Sequence, residues 1–173
     1  MLPTVTFIFG GAASGKSEFA ETLVKNADMP MHYLATSQVF DAEMQTKVDL
    51  HKHRRSAEWS LIEEPLELGP PLSALPAHSV CLLDCATMWL SNHLLADSDL
   101  AQAQARLIKA IDACPAHLVI VSNEVGMGIV PENALARQFR EAQGRLNIAL
   151  AARADLAVFV AAGLPMVLKG TLP

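Results

Sequence analysis

Short unbroken apolar runs alternate along the chain with longer stretches in which apolar residues recur every three or four positions, and that alternation predicts strands and helices in turn. Val5 to Phe9 is a β-branched and aromatic run closed by Gly10 and Gly11, and Phe19, Ala20, Leu23 and Val24 then place a helix over Lys16 to Asn26. Met31 to Ala35 reads as a second strand. A helix starting at Asp41 follows, with Phe40, Met44, Val48 and His51 recurring at steps of four, four and three. Pro65 to Pro76, with GPP at its centre, reads as a loop inside the domain. Val80 to Leu83 is a fully apolar strand ending at Asp84, followed by helical patterns over Thr87 to Leu95 and Leu100 to Ala113. Leu118 to Val121 repeats the strand theme and ends in Ser122, Asn123 and Glu124. The loop GMGIVP leads to a helix over Glu132 to Arg153, and Leu156 to Ala161 reads as the last strand. Continuous apolar strands alternating with amphipathic helices predict an α/β fold, a mostly parallel sheet covered on both faces. Ligands of such sheets sit beyond the carboxyl ends of the strands.

Composition narrows the class. With 173 residues against about 150 per typical domain, a single domain over residues 1–173 is expected. Hydrophobic residues make up 51% and charged residues 18%, which excludes a disordered chain. The net charge of −5 has the wrong sign for a protein that holds nucleic acid by neutralising phosphates. No run reaches the about 18 apolar residues of a membrane-crossing helix; AVFVAAGLPMVL is interrupted by Gly163 and Pro165. No cation precedes the first apolar run, as a secretory signal requires. Cys81, Cys85 and Cys114 show no paired CxxC spacing. They read as buried thiols of a soluble, cytoplasmic protein rather than a disulfide framework or a zinc site.

Gly10-Gly11-Ala12-Ala13-Ser14-Gly15-Lys16-Ser17 fits GxxxxGK[ST] and lies between a predicted strand and helix, as that phosphate-binding loop must. The glycines let backbone N–H groups turn towards phosphates and the helix N-terminus favours negative charge; Lys16 reaches the β/γ-phosphates and Ser17 offers a hydroxyl to Mg²⁺. Asp84 closes an apolar strand where such proteins place a second carboxylate that orders Mg²⁺, a position that also suits a helix cap. His51 takes a leucine's place on an apolar stripe. With Arg54 and Arg55 it forms a cationic patch suited to triphosphate, and cations favour a neutral, nucleophilic imidazole. His53, two residues on, points away on a helix, which argues against a metal pair. Trp59 has two readings, stacking on a base or packing at a core or rim. Glu63 reads either as an acceptor for a guanine edge or as a surface carboxylate. The segment SNEVGMGIVPEN, residues 122 to 133, follows a strand end and belongs near the ligand end of the sheet. Arg137 and Arg140 beyond it read as a solvated face or as phosphate contacts.

Several blocks taken together resemble one family, the bifunctional adenosylcobinamide kinases and adenosylcobinamide-phosphate guanylyltransferases: FIFGGAASGKS, YLATSQVFDAEM, HKHRRSAEW with Glu63, LLDCATMWLSN, VSNEVGMGIVPENALARQFREAQGRLN and GLPMVLK. They follow one another over nearly the whole chain, and HxxxRxxxW with NEVGMGIVP is the specific part. The resemblance implies a RecA-like P-loop fold and a homotrimer. It implies phosphorylation of adenosylcobinamide with ATP or GTP, then transfer of GMP from GTP through a histidine to give adenosylcobinamide-GDP and pyrophosphate. The histidine that matches is His51. By the same matching Gly10, Gly11, Ala12, Ala13, Ser14, Gly15, Lys16 and Ser17 hold phosphates, and Ala35, Thr36 and Ser37 line the nucleotide site. Lys52, His53, Arg54 and Arg55 sit beside the nucleotide, with Glu63 and Asp84 completing it. The chain departs from the family pattern at Ala13, Leu50, Ser56, Leu61 and Ile148, none of which removes a group the chemistry requires. Two alternatives remain at this level. One is a P-loop kinase of another small molecule, with no covalent intermediate. The other is a non-enzymatic GTP switch, against which stands the lack of an Asn-Lys-x-Asp guanine-reading motif.

Overall fold

The structure is a computed structural model that describes residues 1–38 and 58–173. The predicted helix from Asp41, and with it His51, Lys52, His53, Arg54 and Arg55, lies outside the described residues. A seven-stranded sheet has the order β3-β2-β4-β5-β1-β6-β7. Its strands are β1 (Val5–Gly10), β2 (Met31–Ala35), β3 (Trp59–Glu63), β4 (Val80–Asp84), β5 (His117–Asn123), β6 (Leu156–Ala161) and β7 (Leu164–Lys169). All neighbours are parallel except β7, which returns antiparallel along β6. Helix α1 (Lys16–Lys25) covers one face; α2 (Gly69–Ser73), α3 (Ala86–Leu95), α4 (Leu100–Ala113) and α5 (Ala134–Arg153) cover the other.

Strand alternation sorts the core into two layers. Ile8, Tyr33, Leu82, Val119, Val121 and Val158 pack with Ala20, Leu23 and Val24 of α1. Phe7, Leu34, Leu83, Leu118 and Ile120 point the other way and pack with Trp89, Leu107, Leu146 and Leu150. The interior strands are therefore buried on both faces over most of their length, and the apolar stretches Phe7–Phe9, Val80–Leu83, Leu118–Val121 and Leu156–Val160 read as continuous runs.

Several boundaries differ from expectation for local reasons. Helix α5 starts at Ala134 rather than Glu132, because the Asn133 side chain accepts from Ala136 N–H at 3.1 Å and caps it there. Asp99 caps α4 in the same way, accepting from Ala101 and Gln102 N–H. The stretch Pro65 to Pro76 is not wholly a loop. Pro70 and Pro71 fall in the first turn of short α2, where a missing N–H costs nothing, and Leu72 is fully buried. Leu156 to Ala161 is not the last strand. Ala162 and Gly163 take positive φ values of 51° and 77° and turn the chain back, so that Leu164–Lys169 adds an edge strand. Pro165, which breaks a helical reading, is tolerated at such an edge. Strand β3, the opposite edge, carries too many exposed residues to stand out as an apolar run.

Candidate functional site

The Gly-rich loop joins β1 to α1 at the carboxyl end of the sheet. Helix α1 has no side-chain cap; Gly15 precedes it in a left-handed conformation, φ 90°, leaving the first-turn N–H groups open to an anion. A Cβ at Gly10 would lie 2.3 Å from Val160 O and 2.7 Å from Ser14 Oγ, so only glycine lets β1 and the loop pass β6 this closely. Gly163 N–H donates to Ser14 O at 2.8 Å, so the turn between β6 and β7 braces the loop from the side. Ala12 and Ala13 are exposed on its outer edge, and Ala13 also takes a positive φ of 54°. Ser14 Oγ is buried with no hydrogen-bond partner among the described residues.

Lys16 is 9% exposed and its Nζ donates back to Gly11 O at 3.1 Å. Burial lowers its pKa, and the carboxylate of Asp84 partly opposes the shift. Asp84 ends β4 two strands from β1 and is held by the Tyr33 hydroxyl, which donates to Oδ2. Next to it, burial pushes the Cys85 thiol up to about 12, so it stays protonated; burial raises Cys81 to about 12 as well, and Cys114 also upward. Both Cys81 and Cys85 are buried free thiols.

Thr36 differs from the expectation that it lines the site. It is wholly buried, accepting from Cys85 N–H at 2.9 Å and donating to Cys85 O at 2.7 Å, while its own N–H donates to Asp84 O at 3.2 Å. Its hydroxyl therefore fixes the turn that presents Asp84. Ala35 and Ser37, on either side, are partly exposed. Glu63 ends β3 in register with Ala35, which in turn is in register with Asp84, so the three stand in a row at the carboxyl ends of neighbouring strands. Trp59 lies at the opposite end of β3 and packs edge-on against Tyr33 with centroids 5.9 Å apart. That is packing behind Asp84, the second of its two readings. Arg137 donates to Pro131 O at 2.9 Å and Arg140 to Ile129 O at 2.9 Å, so both hold the preceding loop.

Ser17 Oγ and Asp84 Oδ1 make no hydrogen bond among the described residues. These two hard oxygen donors fit Mg²⁺, which keeps several waters and takes one or two protein oxygens beside substrate phosphates. Among the described residues no group of three or more His, Cys, Asp or Glu is gathered to hold a metal by itself.

Sequence reasoning missed Tyr33 and a buried polar cluster behind the site. Asn123 N–H donates to Thr87 Oγ1 at 2.8 Å, and Asn123 O accepts from Asn147 Nδ2 at 3.1 Å. Ser122 Oγ donates to Asn147 Oδ1 at 2.7 Å and accepts from Gln143 Nε2 at 2.9 Å. The available signal was the pair Gln143 and Asn147, one turn apart on the same α5 stripe as Ala142, Leu146 and Leu150.

The sheet order, the uncapped glycine turn before α1 and the buried Lys16, whose charge feels the Asp84 carboxylate, define a RecA-like P-loop fold with its phosphate-binding loop in place. The ATPase of the type III secretion system of pathogenic bacteria shares this fold, with a TM-score of 0.56 at 12% identity over 96% of this chain and 57% of that one. Residues 6–168 match the family described as cobinamide kinase / cobinamide phosphate guanyltransferase, and the chain belongs to that family. It is similar to the bifunctional adenosylcobalamin biosynthesis protein CobP of Pseudomonas aeruginosa, 41% identical over 94% of this chain and 96% of that protein. It is 42% identical to the bifunctional adenosylcobalamin biosynthesis protein CobU of Salmonella typhimurium, over 94% of this chain and 98% of that protein. A non-enzymatic switch is thereby set aside: the chain is a transferase of the kinase and guanylyltransferase kind, with a place in cobalamin biosynthesis. Among the described residues no helix is long and apolar enough to cross a membrane.

Proposed function

We propose that this chain, one nucleotide-binding domain over residues 1–173, phosphorylates adenosylcobinamide with ATP or GTP and then transfers GMP from GTP to that phosphate, releasing pyrophosphate and adenosylcobinamide-GDP. The observation that carries the reading is the conjunction of a braced phosphate loop and a buried Lys16 beside Asp84 with family membership across nearly the whole chain. In the first reaction the α1 N-terminus and Lys16 neutralise the triphosphate, while Gly10, Gly11, Ala12, Ala13, Ser14 and Gly15 wrap it. Ser17 and Asp84 would hold Mg²⁺, which when bound draws charge from the β- and γ-oxygens. Ala35, Ser37 and Glu63 border the nucleotide from β2 and β3.

In the second reaction the His51 imidazole attacks the α-phosphorus of GTP and pyrophosphate leaves. A phosphate oxygen of the corrinoid then displaces the imidazole, which returns unchanged. A neutral imidazole both attacks and leaves readily, so two easier steps replace one. Lys52, His53, Arg54 and Arg55 supply positive charge and contacts beside the bound nucleotide. We read the protein as a cytoplasmic homotrimer that binds neither nucleic acid nor membrane.

The test is incubation of the protein and Mg²⁺ with α-³²P-GTP beside His51→Ala, followed by a denaturing gel. An acid-labile, base-stable label present in the wild type and gone in the variant is expected. A folded, nucleotide-binding protein that takes no label would leave a simple small-molecule kinase in its place.

A further inference from the structure

Strand β5 lies between β4, which ends in Asp84, and β1, which ends in the phosphate loop. Its last residue, Asn123, is in register with Gly10, and Val121 two positions earlier is in register with Asp84. Strand alternation fixes which way Asn123 points. Val119 and Val121 pack on the α1 face, as does Leu82, two residues before Asp84 on β4; Ser122 bonds to α3 and α5 on the other face. The Asn123 carboxamide therefore emerges on the Lys16 face, between the loop and Asp84. It is partly exposed and makes no hydrogen bond among the described residues.

Its backbone, by contrast, is held on both sides. Thr87 Oγ1 takes its N–H and Asn147 Nδ2 gives to its carbonyl, with Ser122 and Gln143 closing the cluster at hydrogen-bond distances of 2.7 to 2.9 Å. These hydrogen bonds tie the five residues into one geometry, with Gln143 Oε1 the buried side-chain atom of the network left without a partner among the described residues. What the network holds is the strand end carrying an idle amide.

We propose that Asn123 is a γ-phosphate ligand: its side-chain N–H₂ donates to a terminal phosphate oxygen of the bound triphosphate, and Thr87, Ser122, Gln143 and Asn147 are positioning residues for it. The inference rests on the nucleotide reading of this site and deepens it. A carboxamide is suited to the place because it donates to phosphate without adding charge and keeps its protons throughout transfer. Aspartate, of equal size, would set a second negative charge beside Asp84 and repel the phosphate.

The test compares affinity for Mg²⁺·ADP with that for the Mg²⁺ complex of the β,γ-imido analogue of ATP, by calorimetry, on the full chain. The wild type is expected to prefer the triphosphate. Asn123→Ala should lose about tenfold or more of that preference, as for one hydrogen bond to a charged group, with ADP affinity unchanged; Asn123→Asp should abolish it. Ser122→Ala, which opens the network without touching the site, should lower kcat for adenosylcobinamide phosphorylation while leaving KM for ATP in place. A wild type that binds both nucleotides alike, an Asn123→Ala protein that keeps the full preference, or parallel loss of ADP binding would each overturn the proposal. Failure of adenosylcobinamide as acceptor would count against the substrate reading alone, since the nucleotide comparison needs no acceptor.

Discussion

Lys16 shows how a single side chain is set up for a ligand. Its ammonium is buried, its pKa is lowered by that burial, and among the described residues it donates to Gly11 O of its own loop. Such a group is poorly satisfied alone and gains a better partner when phosphate arrives. His93 on α3 is the opposite case, a buried titratable group with its needs met. Its Nε2 lies 3.2 Å from Leu66 O and its Nδ1 3.0 Å from Ser98 Oγ, and its ring packs edge-on against Trp89. Burial lowers its pKa below that of a free imidazole; the Leu66 carbonyl and Glu67 oppose that shift, and Arg106 adds to it. Because the folded state takes up this proton less readily than the unfolded one, His93 contributes its full stability above about pH 6.5 and loses it as pH falls towards the lower folded value. The melting temperature of wild type should therefore exceed that of His93→Gln most at pH 7.5, with the gap narrowing by pH 5. Thermal scans across that range check this, and a constant gap would contradict it.

At the scale of elements, the hairpin of β6 and β7 does more than widen the sheet. Its turn reaches the phosphate loop through Gly163 N–H to Ser14 O, and a Cβ at Gly15 would meet Gly163 Cα at 3.0 Å. Its far end carries Gly170, with nearly the same φ of 76° but wedged against Asp155 O, where a Cβ would sit 2.3 Å away. Both resist alanine because φ is positive, and Gly170 adds a clash. Gly170→Ala should thus cost more stability, about 1–3 kcal/mol, or roughly 2–12 °C in melting temperature, yet leave nucleotide affinity alone. Gly163→Ala should melt closer to wild type and bind ATP several-fold more weakly. The two readouts together separate support of the loop from support of the fold. This brace was not legible in the chain, although the loop itself was. GGAASGKS specifies its own conformation locally, whereas the Gly163 contact depends on β7, which hides behind Gly163 and Pro165 in a run that looks broken. The interior strands β1, β4, β5 and β6 were legible because both their faces are buried. Edge strand β3 was not, and Asn123 was visible only as a polar strand end whose direction needs the alternation of its neighbours.

At the scale of the whole molecule, the two sheet edges are unlike. Strand β3 carries Ser60 and Glu63 on its outer positions, polar groups that discourage pairing with another chain. Strand β7 is exposed at all six positions, and Leu164, Met166, Val167 and Leu168 make it an apolar edge. The loop held by Arg137 and Arg140 exposes Met127 and Ile129 as well, 80% and 96% accessible. A chain with a net charge of only −5 has little general repulsion to keep such edges apart, and exposed apolar strand edges are ready to associate. Self-association through β7 is the simplest way to cover it, and it is compatible with the trimer proposed above. Light scattering after gel filtration should give a mass near three times that of the single chain for wild type. Met166→Arg should shift it towards the monomer while a folded circular-dichroism spectrum is retained, because Met166 lies at the solvent edge and packs in neither core layer. If the charged variant keeps the wild-type mass, the interface lies elsewhere, and Ile129→Asp tests the loop next. A wild type that runs as a monomer at micromolar concentration would remove the trimer and leave β7 an uncovered edge.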